Sequence, residues 1–121
     1  MRYTIEVGAH YIKAEMVDRD TAEETREFVN AIVDALRKHK QPRLLISTRS
    51  SRPVYKVETW NLSGALDQVA GMPGLKVALV ADSKELALSQ QYIELLAVQR
   101  GLAFKTFESE KRAAQWLMSG T

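Results

Sequence analysis

Cysteine is absent from the 121-residue sequence. That excludes disulfides, thiol nucleophiles and cysteine-ligated zinc or iron–sulfur centres. It also suits a reducing compartment, so a cytoplasmic location is the expectation. Histidine occurs only at His10 and His39, in no context that points to a metal site or a catalytic triad. No metal, no cofactor and no hydrolase chemistry is therefore expected. No apolar run approaches the ~18 residues of a membrane span. The opening Met-Arg-Tyr-Thr-Ile-Glu lacks the apolar centre of a signal peptide. Neither sign of charge dominates: the net charge is +2, a slight excess of Lys and Arg rather than a basic arm, so nucleic acid is not an expected partner. Repeats, linkers and low-complexity tracts are also missing.

The chain is of a length for one domain, spanning 1–121, and can bury a core without staples. Its clearest element is residues 75–83, Leu-Lys-Val-Ala-Leu-Val-Ala-Asp-Ser. A short apolar run with β-branched residues between Pro73-Gly74 and Asp82-Ser83 predicts a strand buried on both faces. Ser83 is placed to cap a helix from Lys84. Leu44-Leu45-Ile46 predicts a similar buried strand. Residues 2–7 and 10–17 alternate polar and apolar across Gly8-Ala9, which predicts a hairpin toward a sheet edge.

Four helices are expected. The first starts at a capping box, Thr21 with Glu24, and presents Phe28, Val29, Ile32, Val33 and Leu36 as its apolar stripe. The second covers roughly 57–70, with Leu62, Ala65, Leu66 and Val69 inward. The third runs from Lys84 to about Arg100 and ends at Gly101. Its apolar residues, from Leu86 and Leu88 through Tyr92 to Leu96, span about half the circumference, wider than a core stripe. The fourth follows Ser109, with Trp116 on its inner stripe and in the core. The order ββαβαβαβα predicts an α/β domain with a mixed, mostly parallel sheet of about five strands and helices on both faces.

In such sheets ligands gather at the carboxyl ends of the strands. One such end holds Arg49, Ser50, Ser51 and Arg52, hydroxyls between two guanidiniums, a composition suited to an anion or a phosphorylated serine. It lacks the glycines of a phosphate-wrapping loop. The other holds Asp82 and Ser83, a turn and a helix cap. Trp60 falls off its helix's stripe, so it is a lid over the core or part of a ligand pocket with Tyr55 and Met72. A receiver domain shares the alternation but needs an acidic pair after the first strand and an aspartate ending the third. Gly8-Ala9 and Ser47-Thr48 stand there instead.

The opening hairpin, the strand Leu44-Leu45-Ile46, Trp60-Asn61-Leu62, the run from Lys76 to Asp82, and the ending Ala113-Ala114-Gln115-Trp116-Leu117 together resemble the SpoIIAA-like group of STAS-related domains. These are small bacterial proteins akin to anti-sigma-factor antagonists. The resemblance implies the fold, a role without catalysis, and an apolar or anionic ligand site. The antagonists carry a phosphorylated serine in an Asp-Ser pair after the central strand. Here that region reads Thr48-Arg49-Ser50-Ser51-Arg52, and the Asp-Ser pair sits one βα unit later at Asp82-Ser83, a departure from the pattern of the phospho-switch.

Function is therefore expected to be a non-catalytic binding or regulatory module that meets a protein partner. A carrier or sensor of a small lipid-like or anionic ligand is the alternative, and an unrecognised enzyme the third reading. The wide third helix allows a homodimer seam as well.

Overall fold

The computed structural model describes residues 1–53 and 61–119. The hairpin comes first, β1 (Arg2–Val7) and β2 (Ile12–Val17), followed by α1 (Ala22–His39) and β3 (Arg43–Arg49). Then come α2 (Leu62–Val69), β4 (Lys76–Ala81), α3 (Lys84–Gln99), β5 (Ala103–Phe107) and α4 (Glu110–Met118). The strands form one sheet in the order β1-β2-β3-β4-β5. Only β1 and β2 are antiparallel; the other neighbours are parallel. The expected α/β architecture is the observed one.

Local chemistry sets the element ends. Thr21 Oγ1 accepts from the Glu24 N–H at 3.2 Å, and the Glu24 carboxylate accepts in return from the Thr21 N–H at 3.0 Å. Ser83 and Ser109 cap α3 and α4 with one such bond each, accepting from the Leu86 and Arg112 N–H groups. Gly101 follows α3 at φ +79, a left-handed position that glycine occupies without strain. The first strand of the hairpin has the expected bounds, but β2 begins at Ile12 rather than His10. A bond from the Gly8 N–H to the Tyr11 carbonyl, 3.1 Å long, holds the turn residues out of the ladder. The expected beginning of the second helix, before Asn61, lies outside the described residues.

Crossovers that all step the same way across a parallel sheet place their helices on one face. Residues of α1, Val69 of α2 and Ile93 of α3 accordingly pack with Ile12, Leu44, Val77 and Leu79 in the larger core layer. The other face carries α4, whose Ala113 and Leu117 meet Leu45, Ala78 and Val80. The strand β4 contributes to both layers, as its continuous apolar run requires.

Trp116 departs from expectation. It is only partly buried against this second layer, because α4 covers the β3–β5 side of the sheet and the indole falls at the margin of the contact. Its ring centroid is 5.5 Å from that of Phe107, and Lys76 Nζ lies 4.5 Å above it. The same ammonium donates to the Trp116 carbonyl at 2.7 Å, closing the carboxyl end of α4 as a cation does well.

Candidate functional site

The helix layer does not fill the space it encloses. A cavity of about 110 Å³ lies between the sheet and the three helices. Phe28, Val29, Ile32 and Val33 of α1 line it, with Ala65, Leu66 and Val69 of α2 and Ile93 of α3. Ile46, Val77, Leu79 and Phe104 form its sheet side. These are the apolar stripes of the amphipathic helices meeting the inner face of the strands.

Polar groups also enter the lining: Arg19, Thr25, Thr48, Ser89 and Gln90. All of them are buried. Thr25 and Ser89 return their hydroxyls to the Thr21 and Leu86 carbonyls. The Gln90 amide donates to Thr48 Oγ1 at 3.2 Å and to the Val80 carbonyl at 3.1 Å. A carbonyl can only accept, so this second bond fixes which end of the amide is nitrogen. Gln90 Oε1 is left buried with no partner among the described residues.

Arg19 is in a similar state. It is 8 % exposed. It donates through Nη2 to the Arg52 carbonyl, while its Nε finds no partner among the described residues. Burial pushes the guanidinium below its ordinary pKa, and Glu24 partly opposes that. The cavity thus has an apolar body, and among the described residues two of the polar residues that line it, Arg19 and Gln90, carry a buried polar atom without a partner.

The carboxyl ends of β2, β3 and β4 form a second, open depression beside it. Asp18, Asp20, Ser50, Ser51, Arg52, Asp82, Ser83 and Glu85 line this depression together with Arg19. The structure therefore brings together five of the residues singled out from the sequence: Ser50, Ser51, Arg52, Asp82 and Ser83. Their bonds are largely internal. The Ser50 N–H donates to Asp82 Oδ2 at 2.9 Å, with Ser50 itself at φ 48. Ser51 Oγ donates to the Arg49 carbonyl and accepts from the Arg19 N–H. Arg52 Nε pairs with Asp20 at 2.8 Å, and Ser83 Oγ caps α3. Arg49 turns away to the opposite face, where its guanidinium lies 3.8 Å from Glu15. Both guanidiniums expected to attract an anion thus face carboxylates of this chain. Tyr55 and Trp60 lie outside the described residues, and Met72 packs against the larger core layer.

Sequence reasoning passed over Arg19 and Gln90. Gln90 had a signal: it follows Leu86 by four residues and precedes Ala97 by seven, which puts a polar side chain on the buried face of α3. Arg19 sits between two aspartates, as a surface turn would, and gives none.

The opposite face of α3 is apolar too. Leu88, Tyr92, Leu95 and Val98 are exposed along it, which accounts for the breadth of its apolar residues. Among the described residues no helix is long and apolar enough to cross a membrane, and no group of three or more metal-ligating side chains occurs. No family model matches the chain, and no curated protein matches it either.

Proposed function

We propose that this domain binds a small molecule with an apolar body and one polar head, either acidic or hydroxylic, and does no chemistry on it. The observation that carries this is the mostly apolar cavity, two of whose wall residues hold atoms, Arg19 Nε and Gln90 Oε1, with no partner among the described residues. A buried polar group without a partner costs about 1–3 kcal/mol. A hydroxyl can accept from an Nε–H or donate to an amide oxygen, and a carboxylate suits the guanidinium.

Volume narrows the lipid-like ligand expected from the sequence. An aliphatic cavity of roughly 150 Å³ takes a molecule the size of benzene. At about 110 Å³ the body of the ligand is a ring or a short chain. Thermal unfolding with hexanoate, phenylacetate and hexanol tests this. A ligand at ~100 times its dissociation constant stabilises by about 2.7 kcal/mol, so the midpoint should rise with at least one probe. A midpoint that none of them moves would remove the support for the reading.

Membership of the SpoIIAA-like group is part of this proposal, supported by the order ββαβαβαβα that the resemblance implies. A regulatory module that meets a protein partner is the second reading, favoured by the exposed stripe of α3. Replacing Leu88 and Leu95 by serine should then abolish regulation while leaving the fold and ligand binding intact.

A further inference from the structure

Among the described residues β1 is an edge strand of the sheet, and its outer side is prepared for another strand. The bond from the Gly8 N–H to the Tyr11 carbonyl sets the phase of the hairpin ladder. Gly8, Glu6, Thr4 and Arg2 therefore belong to the set bonded to β2. Tyr3, Ile5 and Val7 turn their N–H and C=O groups to the open edge.

Edges are commonly blunted by proline, by charged side chains (lysine above all), by bulges or by covering elements. Residues 2–7 contain no proline, lysine or glycine. The opposite edge is treated differently: on β5 the Thr106 N–H is taken by the Glu94 carboxylate of α3 at 2.5 Å.

The side chains of β1 specify what fits. Arg2, Thr4 and Glu6 share one face; Tyr3, Ile5 and Val7 share the other, with Tyr3 and Val7 exposed. Read in either direction, the segment is charge, apolar, threonine, apolar, opposite charge. An antiparallel second copy with Thr4 opposite the partner's Thr4 sets Arg2 across from the partner's Glu6, twice by symmetry. It also sets Tyr3 across from the partner's Ile5 as a hydrogen-bonded pair. Sliding by two residues either way keeps the backbone phase. It then leaves Arg2 opposite the partner's Thr4 or Gly8, with no opposite charge across from it. Among the described residues of the monomer Arg2 pairs with Asp18, at 3.3 Å and largely in solvent, a contact too weak to hold it back.

We propose that β1 pairs antiparallel with β1 of a second copy about a two-fold axis at Thr4, joining two sheets into one, with the Arg2–Glu6 pairs fixing the register. The exposed stripe of α3 offers no charge pattern of this kind, and a seam there is the competing outcome.

Sedimentation velocity over a concentration series tests the proposal. The wild type should dimerise. Arg2→Glu and Glu6→Arg place like charges opposite one another, and each should weaken the dimer about tenfold or more. Mixing the two variants should restore a dimer, because both pairs at positions 2 and 6 then join opposite charges. The double variant Arg2→Glu/Glu6→Arg should dimerise alone. Circular dichroism of each variant confirms that it is folded. A wild type that stays monomeric, or a dimer indifferent to the swaps, would overturn the pairing. So would a mixture of folded variants that fails to associate, or a dimer lost only on Leu88→Glu.

Discussion

Gln90 on α3 donates its amide to Thr48 Oγ1 at the end of β3, 3.2 Å away, inside the core and 42 residues distant in sequence. The bond ties a helix to a strand that is not its sequence neighbour, and it holds a polar group in the wall of a mostly apolar cavity. Replacing the glutamine by alanine leaves the Thr48 hydroxyl and the Val80 carbonyl without this donor. Gln90→Ala should lower stability by about 1–3 kcal/mol, read as a lower midpoint in urea unfolding. An unchanged midpoint would mean that the amide is not bonded in this way.

The cavity itself is open to a stability test. Val33 is buried on α1 and lines it. One added methylene there enters free space instead of packed neighbours, and burying it gains about 0.8 kcal/mol. Val33→Ile should therefore raise the unfolding midpoint and weaken binding of the largest probes. Overpacking in a filled core costs about 1–3 kcal/mol instead, so a destabilised variant would show that there is no room.

Glu24 links the start of α1 to acid stability. Its carboxyl is held down to about 2, first by the Asp20 N–H and then by the ammonium of Met1, with the Thr21 N–H adding to both. A group depressed in the folded state adds stability that is complete above its ordinary value of 4.5. That stability is lost as the pH falls from there toward about 2. Glu24→Gln keeps the capping bonds but cannot titrate. The variant should show a shallower loss of stability over that range, and an identical slope would contradict the assignment.

Trp116 stands at the margin of the second core layer, so its removal should cost less than the 3–5 kcal/mol of a fully buried indole. About 2 kcal/mol is expected for Trp116→Ala, from the Phe107 contact, the Lys76 ammonium above the ring and the area lost. Chemical unfolding gives the number directly, and a cost near zero would place the ring outside the packed layer.

The sequence made the architecture legible because the signals for it are local. The run Val77-Ala78-Leu79-Val80, the serines at 83 and 109, and the Thr21–Glu24 box each act within a few residues. The site is less legible because its determinants are long-range. Arg49 and Arg52 look like a free basic pair in sequence. Their carboxylate partners, Glu15 and Asp20, come from β2 and the turn after it, which the fold brings alongside β3. The breadth of α3 was visible, but not that Leu86 and Ala97 would face the core while Leu88 and Leu95 face out. The backbone of Arg19 is tied to Ser51 and Arg52, more than thirty residues on, contacts that no periodicity encodes.

The central claim is that the cavity takes a small apolar molecule by its polar head. Calorimetric titration of hexanoate and hexanol into the wild type and into Arg19→Met tests it most directly. Both probes should bind the wild type, with the acid the tighter. Arg19→Met, which keeps much of the apolar stem and loses the charge, should remain folded. It should bind hexanoate at least about tenfold more weakly, since charge-assisted bonds contribute about 1.5–3 kcal/mol. Its affinity for hexanol should fall much less. If neither probe binds the wild type, or if the acid binds both proteins alike, the cavity is not a site of this kind.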